Sequence, residues 1–251
     1  MILLFDVGNT TVSLAIADGL SILETYKLNT EIQKTADEYW IQMRSLIPTL
    51  KIDYIAISSV VPRITEKLVE IAKKHFKLEP LIVGPGVKTG LNVKTDHPRE
   101  VGADLICAAV AVESDILPTL VVDLGTAIKY IFVKNKTILG VIITPGVSIS
   151  IKALVGNTAL LPDIDIEIPK KVLGTNTIAC MQSGVTYGVA AQVDGLIERI
   201  RDEVKEDFNV VLTGGLSETI APLCKHPLTR DPDLVHKGLL QIFNRNEKNQ
   251  K

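Results

Sequence analysis

The chain repeats itself. The stretch LLFDVGNTTVSLAIAD (residues 3–18) and the stretch LVVDLGTAIKYIFVKN (residues 120–135) superimpose without a gap, placing Asp6 on Asp123 and Gly8 on Gly125, 117 positions apart (123 − 6). Each copy reads as an apolar strand that runs out at an aspartate, a tight turn of small residues, and a second apolar strand. A plain hairpin needs only Asn-Gly or Asp-Gly at its turn, so the aspartate at the end of each first strand asks for another explanation. Two copies of one hairpin predict two similar lobes.

The remaining pattern is that of an α/β protein. Strands are expected at 2–6, 12–17, 22–28, 54–59 and 80–83, alternating with helices from about 35 and about 63. TADE (Thr35 to Glu38) is a capping box and Pro62 suits a first helical position, so both helices have defined starts. From about residue 100 the pattern restarts: EVGADLICAAVAVESD as a helix, residues 119–146 as three strands, a long amphipathic helix over 182–204, and the strand-turn-helix NVVLTGGLSETIAPLC. Gly214-Gly215 after that strand would let backbone approach a ligand closely. The expected division is one lobe over 1–113 and a second over 114–251, with the terminal FNRNEKNQK frayed.

Composition narrows the partners. With 27 basic and 29 acidic residues the net charge is −2 and no long basic block occurs, which gives nucleic acid nothing to bind. Hydrophobic residues make up 46% of the chain, enough for a packed core, yet no apolar run approaches a membrane span. The N-terminal residues enter a strand directly, without the basic and apolar regions of a leader, so a cytoplasmic location is expected. Cys107, Cys180 and Cys224 are widely spaced and in no Cys-x-x-Cys pair, and are expected as core thiols.

Two Asp-x-Gly hairpins facing each other across a cleft suit a polyphosphate. Their turns expose N–H groups, and Asn9, Thr10 and Thr126 add side-chain donors. A carboxylate beside a phosphate is repulsive unless a cation stands between, so on residue chemistry alone Asp6 and Asp123 both point to Mg²⁺ bound partly through water. Either aspartate taken singly is explained as well by an Asx-turn with its own loop; the repetition favours a ligand. Asp104 falls in the first turn of a helix, where it could serve simply as a cap. The same position holds a carboxylate rigid and ionised, as a base acting on a substrate hydroxyl requires.

At this point the residues resemble a family. DVGNT, SSVVP, KTGL, EVGAD, DLGTA, GVIITPG, TALLP, GTNT, QSGVTYG, DGLI and LTGGL occur, from Leu3 to about Phe243, in the order found in type III pantothenate kinases. The resemblance implies an actin-like ATPase fold of the acetate and sugar kinase superfamily: two ribonuclease H-like lobes with a central cleft, working as a homodimer on ATP and pantothenate. It implies that the hairpin Asp6, Val7, Gly8, Asn9, Thr10, Thr11, Val12 and Ser13 binds ATP phosphates and that Thr126 touches ATP. It assigns pantothenate to Gly102, Ala103 and Asp104, with Asp104 as proton acceptor, Leu105 beside them and Thr177 closing the site. Asp123 then holds a monovalent cation, K⁺ or NH₄⁺, which leaves Mg²⁺ mostly with the nucleotide.

The sequence departs from the family at two of these places. Leu105 stands where the family writes arginine; losing a charged hydrogen bond costs about 1.5–3 kcal/mol, so pantothenate affinity should suffer. Lys129 stands where a threonine is usual, and if it points into the cleft its ammonium substitutes for the monovalent ion. The departures keep two alternatives open: a kinase of another small alcohol, and a catalytically weak, ligand-binding regulatory homologue.

Overall fold

A computed structural model describes residues 1–47, 51–112 and 117–247. The chain forms two compact units, Met1–Glu113 with Asp233–Lys251, and Ser114–Pro232. In chain order the first unit carries β1 (Ile2–Val7), β2 (Thr11–Ala17), β3 (Ile22–Asn29), α1 (Ala36–Leu46), β4 (Tyr54–Ser59), α2 (Pro62–Ile71), β5 (Leu81–Ile82), β6 (Asn92–Val93) and α3 (Ala103–Ala111). The second carries β7 (Thr119–Leu124), β8 (Ala127–Lys134), β9 (Thr137–Pro145), α4 (Val147–Gly156), α5 (Thr177–Val204), β10 (Asn209–Thr213), the single-turn α6 (Ser217–Ile220) and β11 (Thr229–Arg230). Helix α7 (Leu234–Glu247) then returns to the first unit. Among the described residues no helix is long and apolar enough to cross a membrane.

The repeat seen in the sequence is a repeat of topology. The first unit's sheet has the order β3-β2-β1-β4-β5, and the second unit's strands run β9-β8-β7-β10-β11. In both, an antiparallel three-strand meander is extended by parallel strands beside its first member. This α/β arrangement in two units is the actin-like ATPase fold class that the motifs implied.

Strand periodicity sorts the core of the first unit. Leu3, Phe5 and Val7 of β1 pack with Val12, Leu14 and Ile16 of β2 against Tyr39, Met43, Ile64 and Leu68 of α1 and α2. The alternate residues Ile2 and Leu4 face the opposite way, into a core with Ala103, Cys107 and Val110 of α3 and Leu239, Leu240, Ile242 and Phe243 of α7. In the second unit Leu120, Val122 and Leu124 of β7 face Ala190, Val193 and Ile197 of α5.

One expectation is met in detail and another is shifted. Thr35 caps α1: its hydroxyl accepts from the Glu38 N–H at 3.3 Å while Glu38 Oε2 accepts from the Thr35 N–H at 2.7 Å. The long helix starts at Thr177 rather than 182, because the Asn176 side chain accepts from the Ala179 N–H at 2.9 Å and so caps it.

Three expectations need correction. The boundary between 113 and 114 lies outside the described residues, but the chain on either side of it belongs to different units; a second lobe running to 251 does not hold, since the apolar face of α7 is buried in the first unit's core. The terminal residues are helical and ordered by packing through Glu247, with Phe243 buried, and only 248–251 lie outside the described residues. Of the three thiols Cys107 alone is a core residue; Cys180 is exposed and Cys224 half-buried.

Candidate active site

Asp6 is the fifth residue of β1, one short of its end. Alternation puts it on the face of Ile2 and Leu4, toward α3. The hydroxyl of Ser58, fully buried on the neighbouring parallel strand β4, donates to Asp6 Oδ1 at 3.2 Å. Beyond the strand the loop is tied down: the Gly8 N–H donates to the Thr11 carbonyl at 2.9 Å, and Thr30 donates its hydroxyl to the Gly8 carbonyl at 2.7 Å. Asn9 and Thr10 are exposed at the tip, whereas Val7 and Val12 are core side chains that leave only backbone for a ligand.

Asp104 occupies the second position of α3, and Leu105 after it is buried. Gly102, the N-cap, has extended backbone, and the Asp104 carboxylate folds back so that Oδ1 accepts from the Leu105 N–H at 2.9 Å. A Cβ on Gly102 would lie 2.5 Å from that same oxygen and 3.3 Å from Val60 Cγ1. A side chain at Gly102 would therefore have to displace the Asp104 carboxylate. The buried Cys107 thiol, one turn further along α3, is pushed well above the usual thiol range, first by burial, then by the charges of Asp6 and Asp104, against a hydrogen bond with Ser58.

His236 of α7 contacts the same hairpin. It is buried, with Nε2 3.4 Å from the carbonyl of Ser13, the residue paired with Asp6 across the hairpin. Burial outweighs that contact and holds its imidazole below the ordinary 6.5. The unfolded chain then takes up a proton that the folded chain refuses, so stability is full above about 6.5 and is lost as pH falls toward the depressed value, by up to about 1.4 kcal/mol per pH unit. Urea midpoints measured between pH 5 and 7.5 should fall less steeply for His236→Gln than for the wild type; parallel slopes would refute this assignment.

In the second unit Asp123 is paired across the hairpin with Lys129, and the Lys129 ammonium lies 2.7 Å from Asp123 Oδ2 with both side chains largely buried. Gly214 follows β10 with a φ of +90°, and a Cβ there would come within 2.6 Å of Asp123 Oδ1 and of the Leu124 carbonyl carbon. The close approach expected at Gly214-Gly215 is thus made, at Gly214, to the chain's own strand β7. Thr126 lies in the hairpin loop, its carbonyl accepting from the Gly146 N–H at 3.1 Å, and Thr177 is the exposed first residue of α5.

The expected residues therefore fall into two sets: Asp6 to Ser13 and Gly102 to Leu105 in the first unit, Asp123, Thr126 and Thr177 in the second. Among the described residues no group of three or more His, Cys, Asp or Glu side chains could hold a metal ion. Such a group is not needed for Mg²⁺ carried by a nucleotide, which keeps phosphate and water oxygens as ligands. Sequence reasoning passed over Ser58 and Cys107 as parts of the first set; for Ser58 the signal was present as a polar end to an apolar strand in SSVVP.

Duplicated units of one sheet topology, each with an aspartate on the first strand of a hairpin, define a chain of the actin-like ATPase fold class. A family model described as type III pantothenate kinase matches residues 2–199. The chain belongs to that family. A type III pantothenate kinase of Acholeplasma laidlawii is 50% identical over 248 residues, covering 99% of this chain and 100% of the relative. One of Bacillus cytotoxicus is 40% identical over 253 residues, covering 98% and 97%. Among solved structures, a Baf family transcriptional activator from Campylobacter jejuni shares the fold with a TM-score of 0.63 at 20% identity, covering 98% of this chain and 99% of that one.

Proposed function

We propose that this protein transfers the γ-phosphoryl group of ATP to the terminal hydroxyl of pantothenate, giving 4′-phosphopantothenate and ADP at the start of coenzyme A synthesis. The observation that carries the reading is the carboxylate of Asp104 at the head of α3, held on the Leu105 N–H at 2.9 Å, on the helix whose Ala103 and Cys107 pack in one core with Ile2 and Leu4 of the strand that bears Asp6. Asp104 takes the hydroxyl proton as the alcohol oxygen attacks the γ-phosphorus and the bond to the ADP oxygen breaks. The hairpin from Asp6 to Ser13 receives the phosphates, with donors from Asn9 and Thr10, and Thr126 adds a contact to ATP. Mg²⁺ bound with the nucleotide neutralises charge on the phosphates. Gly102, Ala103 and Leu105 are the first unit's share of the pantothenate site, where Leu105 brings an apolar side chain and no hydrogen bond, and the resemblance adds Thr177. The reaction belongs in the cytoplasm, where ATP is supplied, and involves neither nucleic acid nor membrane.

The test is ADP release from Mg²⁺-ATP, expected to depend on pantothenate. Turnover only with other hydroxy compounds would indicate a kinase of another alcohol, and ATP binding without turnover would indicate a regulatory homologue.

The enzyme works as a homodimer. Leu139, Ile143, Leu160, Val172, Leu173 and Ile178 are exposed large apolar side chains of the second unit, which a second copy could cover. Sedimentation should give twice the 27.3 kDa chain mass, and Leu173→Asp should shift it toward the monomer; a monomeric wild type would end this reading.

A further inference from the structure

The resemblance assigns a monovalent cation to Asp123, and the residues around Asp123 do not fit one. Of its two carboxylate oxygens, Oδ2 is engaged by the Lys129 ammonium at 2.7 Å, the length of a charge-assisted hydrogen bond. The other, Oδ1, faces Gly214, where an added Cβ would come within 2.6 Å, so what stands against a monovalent ion is the ammonium already at Oδ2. An added cation at this carboxylate would sit beside a fixed positive charge in a place largely closed to water, where like charges repel more strongly than in bulk solvent.

The placement of Lys129 is set by strand pairing. Asp123 and Lys129 are cross-strand partners in the β7–β8 ladder, and their neighbours Leu124 and Ile128 close the hairpin. In the first hairpin the corresponding partners are Asp6 and Ser13, closed by Val7 and Val12. One hairpin opposes its aspartate with a neutral hydroxyl, the other with an ammonium.

We propose that Lys129 is the resident cation of the second hairpin, so that this protein holds no monovalent ion at Asp123 and phosphorylates its substrate without one. The placement of the charge rests on the hairpin geometry; its consequence for turnover rests on the kinase reading above. Lysine suits the task because its ammonium is a compact charge with three donors, comparable in role to a bound K⁺ or NH₄⁺, and is delivered by the chain itself.

The experiment compares the wild type with Lys129→Thr, in KCl and in tetramethylammonium chloride at equal ionic strength, by two readouts. Wild-type turnover should agree between the salts within about twofold, while the variant should need K⁺ or NH₄⁺, gaining about tenfold or more from it. Thermal unfolding should show K⁺-selective stabilisation of the variant and none of the wild type, since an ion that binds only the folded state raises its melting temperature. Strong K⁺ activation or K⁺-selective stabilisation of the wild type would overturn the proposal, as would a variant indifferent to K⁺ in both readouts. If neither protein turns over in any salt, the kinase reading has failed, and the unfolding comparison alone decides on Lys129. Should Lys129→Thr not fold, Lys129→Gln replaces it in both readouts, and the wild-type arm remains decisive against the proposal.

Discussion

Asp104→Asn is expected to lower pantothenate-dependent turnover by about 10²–10⁴-fold, the contribution of a positioned general base to a proton transfer. The substitution isolates chemistry from structure. An asparagine keeps the shape of the side chain, and its Oδ1 can accept from the Leu105 N–H as the carboxylate does at 2.9 Å, so α3 keeps its first-turn contact. ATP affinity should change little, because the phosphate-binding role is proposed for the Asp6 hairpin. Measurement of kcat, KM for pantothenate and ATP binding on one preparation separates the outcomes. A fall in kcat with ATP binding intact supports the base; undiminished turnover would remove Asp104 from the chemistry. Gly102→Ala should follow the same direction, since its new Cβ meets Asp104 Oδ1 at 2.5 Å and displaces the carboxylate.

The second large effect concerns the fold that carries Asp104. Gly238 lies inside α7, where ordinary helix propensity says that alanine should stabilise by about 0.5–1 kcal/mol. The opposite is expected. A Cβ at Gly238 would stand 1.8 Å from the carbonyl oxygen of Cys107 and 2.6 Å from its carbon, both backbone atoms of α3. Neither helix can yield by a side-chain rotation, so the two must separate, which puts the cost at the upper end of the usual range for overpacking, about 3 kcal/mol. For a protein of this size that corresponds to a melting temperature lowered by about 6–12 °C. Calorimetry checks it, and a Gly238→Ala protein as stable as the wild type would show that the α3–α7 contact is not as close as described. Because α3 bears Asp104, turnover should fall together with stability, in contrast to Asp104→Asn, which should leave the melting temperature nearly unchanged.

Much of this was legible in the linear sequence, for identifiable reasons. The duplicated hairpin showed in the repeated aspartate and glycine because the first strands of both sheets are buried and bear the same alternation of core residues. The capping box at Thr35 and the helical position of Asp104 were local events, decided by residues within one turn of each other. The ordered motifs identified the family across nearly the whole chain, and the family model and relatives agree.

Tertiary structure decided what depends on partners distant in sequence. The ungapped superposition sets Lys129 on Val12, a core position, but the second hairpin closes on Leu124 and Ile128 with one residue fewer in its loop than the first. Side chains alternate with period two, so that one residue moves Lys129 from the core face to the face of Asp123. In the same way, α7 follows the second unit in the sequence yet completes the first, because Leu239, Leu240, Ile242 and Phe243 find their apolar partners on α3 and β1. The sequence by itself determined the fold class, the family and the acids; register and long-range burial determined which charges face them, since both are fixed by contacts that no local window contains.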